Sequence, residues 1–88
     1  MRFIICYDVS DDKRRNKLSK LLKAFGIRTQ FSVFEVEAPK EVILKLLEEA
    51  EEILDEIDKI FAYPIDDKNI KNIQRLGLST QTDLVNYI

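Results

Sequence analysis

The sequence predicts an α+β fold, in which two amphipathic helices alternate along the chain with short apolar strands. Three observations lead to this prediction: an apolar strand at the start, an extended region after a basic helix, and another apolar strand after an acidic helix. With 88 residues, and without a linker or repeat, the chain is expected to form a single domain over residues 1–88.

The first predicted strand is the apolar run from Phe3 to Tyr7, which ends in Asp8. Successive side chains of a strand point to opposite faces, so the odd-numbered residues face one side while Ile4 and Cys6 face the other. Both faces of this strand therefore need cover. The position of Asp8 places a carboxylate at the carboxyl edge of the sheet.

The first helix is predicted from about Asp11 to Phe25, because an apolar residue recurs every three or four positions on one face. Ser10, Asp11 and Asp12 supply side chains suited to the start of a helix. Gly26 follows at a position where a left-handed C-terminal cap is expected. The rest of the helix surface is basic and consists of Lys13, Arg14, Arg15, Lys17, Lys20 and Lys23.

A basic helix face is most often a solvated face, and that interpretation remains open. This helix, however, has no acid after Asp12, so it gives up the i,i+4 ion pairs that solvated helices commonly form. Arg14, Arg15 and Lys17 lie in its first two turns, near the same sheet edge as Asp8. A carboxylate beside several cations indicates a place where a phosphodiester could bind and a metal ion could sit.

The region from Ile27 to Glu37 is rich in β-branched and aromatic residues, which is typical of extended structure. It is expected to be one bent strand, or two short strands broken near residues 30–32. A second helix begins at Pro39, and its apolar stripe runs from Ile43 to about Ile57. Its outer surface carries seven carboxylates and is interpreted as a solvated face, although a metal site is the alternative.

The last predicted strand runs from Lys59 to Ile65 and is followed by a turn over residues 66–69. Residues 70–76 fit a helical turn and an irregular edge strand equally well. The chain then ends in a polar stretch and an apolar terminus, which is expected to be covered rather than left in water.

The charges are segregated along the chain, although the net charge is only −2. Residues 13–34 carry +7 without a single acid, whereas residues 35–58 carry −8. One part of the surface is therefore predicted to attract anions while another repels them. The single cysteine, Cys6, and the lack of a signal or membrane-length apolar run predict a cytoplasmic protein without a membrane partner.

The order of the elements is that of a ferredoxin-like βαββαβ sandwich. Two helices can cover only one face of such a sheet, yet the strands are apolar on both faces. We therefore predict a homodimer packed through its sheet faces. The C-terminal segment, about residues 66–88, is expected to contribute to the dimer, with exchange of an edge strand onto the partner as one possibility.

The residue types restrict the chemistry. The chain has no histidine and no glycine-rich phosphate loop, so His-based triads, His-based zinc sites and phosphate loops are excluded. Carboxylate chemistry with Mg²⁺ or Mn²⁺ remains. One Asp8 per chain is too few ligands for a tight site, but two copies meeting at a dimer axis could share one. The alternative is that Asp8 is only a turn or capping acid.

Three motifs occur in a fixed order along the chain. Tyr7-Asp8 closes the first strand, Ser10-Asp11-Asp12 precedes the cations Arg14, Arg15 and Lys17, and the segment Arg28-x-Gln30-x-Ser32-Val33-Phe34-Glu35 follows. Together they resemble the small CRISPR-associated endoribonucleases of the adaptation module, the Cas-two family. The resemblance extends over nearly the whole chain, and the Gln-x-Ser-Val-Phe segment is its most specific part.

The resemblance implies a homodimer in which Asp8 binds Mg²⁺ at the interface and is catalytic. Arg15, Lys17 and Arg28 occupy basic positions tied to nucleic-acid binding or cleavage, and Phe34 occupies an aromatic one. Lys17 departs from the Arg that is frequent there, and the two side chains differ toward phosphate. Arg14 joins the predicted nucleic-acid contacts, and the supporting residues are Tyr7, Ser10, Ser32 and Phe34.

The resemblance also implies a partner, the adaptation integrase, with which the dimer holds a short DNA duplex during spacer acquisition. Three functions follow as hypotheses. The first is a metal-dependent endonuclease on single-stranded RNA, with double-stranded DNA left open as a second substrate. The second is a non-catalytic DNA-binding scaffold of the integration complex. The third is a VapD-like toxin that cleaves mRNA, which the neighbouring genes would distinguish.

Overall fold

The structure is a computed structural model that describes residues 1–76. Its four strands form one antiparallel sheet in the order β2-β3-β1-β4, with α1 and α2 packed on one side. This arrangement confirms the predicted α+β, ferredoxin-like order. The elements are β1 (Arg2–Asp8), α1 (Asp12–Lys23), β2 (Gly26–Gln30), β3 (Val33–Glu37), α2 (Lys40–Ile53), β4 (Lys59–Ile65) and α3 (Asp67–Ile70).

The two faces of the sheet follow from the alternation in β1. Phe3, Ile5 and Tyr7 are buried against the helices, and we call this side the helix face. Ile4 lies opposite Tyr63 of β4 in the strand register and points to the other side, which we call the open face. In the described part of the chain the core lies on the helix face, where the largest fully buried side chains are those of Phe34, Ile5, Leu18, Leu22, Ile43, Leu46 and Val36.

The start of α1 agrees with the sequence, since the Asp11 carboxylate accepts a hydrogen bond from the backbone N–H of Arg14 at 2.9 Å. The predicted left-handed cap at Gly26 is wrong. The cap residue is Ala24 in right-handed helical conformation, and Gly26 is the first residue of β2. A Cβ at position 26 would lie 2.2 Å from the carbonyl oxygen of Glu35, so close strand packing is what requires glycine there.

The second helix is shorter than its apolar stripe predicts. It ends at Ile53, Leu54 is already extended, and Ile57 is 72% exposed rather than part of the buried stripe. The cause is a local turn: the Asp58 carboxylate accepts a hydrogen bond from the backbone N–H of Asp55 at 2.9 Å. This turn directs the chain into β4, whose bounds are those that the sequence predicts.

The extended region after α1 consists of two strands, β2 and β3, with Phe31 and Ser32 at the turn between them. Ser32 has a φ of 71°, a conformation that glycine and asparagine adopt more readily than serine. Its carbonyl oxygen accepts a hydrogen bond from the backbone N–H of Tyr7 at 3.1 Å. The hairpin tip is thereby fixed beside the end of β1.

After β4, the predicted turn over residues 66–69 is largely a short helix, α3, and residues 71–76 form neither helix nor strand. Arg75 nevertheless returns to the open face, where its guanidinium binds the Glu35 carboxylate through two contacts of 2.9 Å. Residues 77–88, which form most of the segment predicted to contribute to the dimer, lie outside the described residues, so the exchange of an edge strand and the single-domain boundary stay predictions. Within residues 1–76 no helix is long and apolar enough to cross a membrane.

Candidate functional site

Asp8 is the last residue of β1, and its side chain is exposed on the open face. It lies opposite Lys59 of β4 in the strand register. No hydrogen bond or ion pair joins its carboxylate to another residue of the described part of the chain. Both oxygens of Asp8 are therefore available to an external ligand, which a capping acid would not offer. The cap of α1 is Asp11 instead.

The fit of a divalent ion can be judged from the acids around Asp8. Residues 1–76 contain no group of three or more His, Cys, Asp or Glu side chains that could hold a metal. Mg²⁺, however, commonly binds through one or two carboxylates and keeps several waters. Asp8 could supply one such carboxylate. The acids of α2 do not form a site either, and their side chains are exposed.

Arg15 organises the loop between β1 and α1. Its Nη1 donates to the carbonyl oxygens of Val9 at 3.0 Å and Ser10 at 3.2 Å, and its Nη2 pairs with the carboxylate of Asp12. The contribution of Ser10 is thus its backbone oxygen. Because Arg15 holds both loop carbonyls, it fixes the segment that directly follows Asp8.

Phe31 stands at the hairpin tip, next to this loop, and is 73% exposed. The guanidinium carbon of Arg15 lies 5.9 Å from its ring centroid, and that of Arg28 lies 5.8 Å from it. Both distances are within the range of cation–π attraction. Phe31 was not predicted as a site residue, although an aromatic residue at a predicted strand break, three residues after Arg28, is a signal that could have indicated it.

Arg28 joins the hairpin to α1. Its Nη2 donates to the Ser19 hydroxyl at 2.7 Å, and its guanidinium carbon lies 5.6 Å from the ring centroid of Phe34. Phe34 in turn stacks on Tyr7, with the ring centroids 6.3 Å apart. Phe34 therefore lies under Arg28, and Tyr7 packs against Phe34 in the core. Ser19 was not predicted as a site residue. It is almost completely buried on a polar helix face, and its hydrogen bond with Arg28 explains why a polar side chain is tolerated there.

A shallow groove of about 520 Å³ runs between α1 and β2. Its lining contains five cations and no acid. We call it the basic groove; its lining residues are Lys13, Asn16, Lys17, Ser19, Lys20, Lys23 and Arg28. Of the residues predicted to contact nucleic acid, Lys17 and Arg28 line the groove. Arg15 does not line it, but lies over the same Phe31 ring as Arg28.

Arg14 points elsewhere. Its Nε and Nη2 donate to the Asp58 carboxylate at 2.7 and 3.3 Å, and Asp11 and Asp55 lie 3.9 Å from its Nη1. The hydrogen bond that Arg14 donates to Asp58 raises the pKa of Arg14, and the same bond lowers the pKa of Asp58. Arg14 thus joins α1 to the turn before β4, and its charge is already balanced.

These elements define a class of protein: a small ferredoxin-like domain with a free strand-end carboxylate and a basic groove, which are features of nucleic-acid-binding proteins. Comparison with known proteins identifies the family. The family described as CRISPR associated protein Cas2 matches residues 1–73 of this chain. The chain therefore belongs to the Cas2 family, as its sequence motifs indicated.

Individual relatives agree. A protein of Rhodospirillum rubrum named CRISPR-associated endoribonuclease Cas2 4 is 44% identical over 64 residues, which are 72% of this chain and 52% of that protein. This chain therefore matches only about half the length of that relative. The solved structure of Streptococcus pyogenes Cas2 is 28% identical, with a TM-score of 0.78, and the match covers 88% of this chain and 100% of that one.

A further solved structure is titled as a partial Cas6-RT-Cas1–Cas2 complex. One of its chains is 34% identical to this protein, with a TM-score of 0.71, and the match covers 85% of this chain and 83% of that one. The fold of this chain thus recurs in a protein that is part of a larger assembly.

Proposed function

We propose that this protein acts in CRISPR spacer acquisition and cleaves single-stranded RNA as a metal-dependent endonuclease. The observation that carries the proposal is the free Asp8 carboxylate, which lies at the same sheet edge as the loop held by Arg15 and the hairpin tip beside Arg28. The name endoribonuclease of its relatives supports the reaction class. Double-stranded DNA is a second possible substrate, because the same phosphates are present in both.

The basic groove supplies the binding energy in this proposal. Phosphates bound along α1 would contact Lys13, Lys17 and Lys20, while Arg28 contacts them from β2. Arg15 acts mainly by ordering the loop after Asp8. We assign Arg14 to this ordering as well, because its guanidinium is already paired with Asp58.

Asp8 and a second copy of Asp8 would hold the divalent ion, Mg²⁺ or Mn²⁺, with waters and main-chain carbonyls as the other ligands. When bound, the ion supplies Lewis acidity and an acidified water at the phosphodiester. The protein's own part is to fix the acid at a strand end and to hold phosphates with neighbouring cations. This assignment requires a homodimer. The exposed Phe61 and Tyr63 on the open face support one.

The test of the catalytic proposal is Asp8→Asn against wild type on single-stranded RNA, with Mg²⁺ and with a chelator. We expect cleavage by the wild type only with the metal, and a loss of at least about a hundredfold in Asp8→Asn. Glu48→Gln, which removes an exposed acid on α2, is the matched control and should cleave normally. Undiminished, metal-dependent cleavage by Asp8→Asn would show that the assignment of Asp8 is wrong.

The second candidate is a DNA-binding scaffold that works with the adaptation integrase. Two observations favour it: Asp8 does not line the basic groove, and a neighbouring structure is a complex that contains Cas1 and Cas2. On this hypothesis, Asp8→Asn keeps both duplex binding and spacer acquisition in cells. Lys17→Gln with Arg28→Gln should weaken both, and the slope of log affinity against log salt should fall by about two.

A further inference from the structure

Phe31 is the one exposed aromatic residue of the described chain that stands beside the basic groove. Its ring is 73% exposed at the tip of the hairpin, although burying it would have been favourable. The tip is held in a demanding conformation, with Ser32 at a φ of 71° and its carbonyl bonded to the backbone of Tyr7. The ring is therefore presented to solvent from a fixed position.

We propose that Phe31, together with Arg15 and Arg28, forms a stacking platform for one unpaired base of a single-stranded nucleic acid. This inference rests on the proposed nucleic-acid function. It adds that the protein recognises an unpaired base of its substrate. Every base has a π-face that an aromatic ring can stack on, so the platform selects for an unpaired base rather than for a sequence.

The charges around the ring favour a nucleotide as its occupant. Two guanidinium groups lie within 6 Å of the ring centroid, and an apolar partner would have to remove water from both. A nucleotide brings a base for the ring and phosphates for the cations. Arg28 is the link, since it contacts the Phe31 ring and also lines the basic groove. A strand whose base stacks on Phe31 can therefore continue along the lysines of α1.

The platform distinguishes single strands from duplexes. Within a duplex each base face is covered by its neighbours, so an internal paired base cannot stack on a protein ring, whereas a single strand offers its bases freely. The hairpin tip is also bonded to Tyr7, the residue that precedes Asp8. A base held on Phe31 thus anchors the strand at the edge of the sheet where the candidate catalytic carboxylate lies.

The test is binding of three labelled probes, measured by fluorescence anisotropy: a ten-nucleotide oligouridylate, an abasic sugar-phosphate chain of the same length, and a blunt ten-base-pair duplex. Phe31→Leu keeps an apolar side chain but removes the π-face, and Phe31→Tyr keeps the π-face. We expect Phe31→Leu to bind the oligouridylate about 5- to 100-fold more weakly than wild type. Its binding to the abasic chain and the duplex should stay within about twofold, and Phe31→Tyr should bind all three like wild type.

Each other outcome has a defined meaning. If wild type binds the oligouridylate and Phe31→Leu binds it equally well, the platform is wrong while the proposed function stands. If Phe31→Leu weakens all three probes alike, Phe31 shapes the surface instead of stacking a base, and the platform is again wrong. If wild type binds none of the probes, the proposed function fails and the platform with it. Oligothymidylate should repeat the oligouridylate result, since both present the same π-face; no loss with it would contradict stacking on the Phe31 ring.

Discussion

The two faces of the sheet are covered in different ways. On the helix face, apolar side chains such as Ile5 and Val36 are completely buried under α1 and α2. On the open face, Phe61 and Tyr63 stack on each other but stay about half exposed. Strands with apolar residues on both sides therefore do not guarantee two equivalent cores. The helix face holds the apolar core of the fold, whereas the open face leaves aromatic side chains half exposed.

The open face also contains a buried group of charges, which the helix face lacks. Arg2 and Glu35 side chains are each 5% exposed, and Arg75 adds a second guanidinium to the same carboxylate. One Glu35 thus serves two arginines from opposite ends of the described chain. Such pairs are costly to disrupt, because the remaining partner is left charged and desolvated.

The largest expected effect on stability comes from a cavity in the core on the helix face. Leu46→Ala, which empties a fully buried position of α2, should lower the free energy of unfolding by about 2 to 5 kcal/mol. Leu44→Ala is the matched control, since Leu44 is 51% exposed on the same helix, and it should cost less than about 1 kcal/mol. Urea denaturation at one protein concentration measures both. Equal losses in the two variants would contradict the position of the core.

The next largest expected effect on stability comes from removing the shared carboxylate of the buried charges on the open face. Glu35→Gln should cost about 3 kcal/mol, since Arg75 and Arg2 lose their shared carboxylate in a buried setting. Glu37→Gln is its control: Glu37 also pairs with Arg2, but its side chain is 56% exposed, so the loss should be below about 1 kcal/mol. The same urea titrations compare them. A loss in Glu35→Gln no larger than in Glu37→Gln would show that the buried pair contributes little.

A third prediction concerns association through the open face. Wild type should have the mass of a dimer in light scattering at micromolar concentration. Tyr63→Lys should raise the dissociation constant by at least about tenfold, because a charge replaces an aromatic contact. Leu44→Lys, at a similarly exposed position on the other side of the molecule, should remain dimeric. A monomeric wild type would exclude the homodimer and with it the shared Asp8 site.

The smallest effect tests the ion pair at the end of α2 by pH. Because the hydrogen bond from Arg14 lowers the pKa of Asp58, this carboxylate stabilises the fold above its unfolded pKa of about 4. That contribution is lost as the pH falls through the lower folded value. Asp58→Asn should therefore have a lower urea midpoint than wild type at pH 7, with the difference shrinking towards pH 3. A difference that is independent of pH would mean that the negative charge of Asp58 does not stabilise the fold.

The sequence predicted the fold well because alternation and helical periodicity depend on local spacing. It placed β4 correctly and identified the apolar residues of α1 that meet the sheet. It extended α2 to Ile57 because the apolar period continues there, while the turn that ends the helix depends on Asp58 and its bonds to Arg14 and Asp55. Partners 44 residues apart are not visible in a local pattern.

The candidate site was predicted only in part, because contacts between residues far apart in the sequence are not visible in a local pattern. Asp8, Lys17 and Arg28 were predicted from residue type, strand position and family resemblance, and the structure brings Lys17 and Arg28 into one groove. The pairing of Arg14 and the exposure of Phe31 were not predicted, because both depend on which elements meet in three dimensions. A list of cations therefore overstates the free charge, and only the contacts show which guanidinium is already neutralised.

The lack of a side chain at Gly26 affects the basic groove as well as the packing of the two strands. Because a methyl group there would overlap the Glu35 carbonyl and the Val36 side chain, β2 can lie against β3 only while residue 26 has none. Arg28, two residues later, reaches Ser19 from that strand. The width of the basic groove thus depends on Gly26, although Gly26 does not line the groove. Changing Gly26 would alter the spacing of the groove while every cation in it remained.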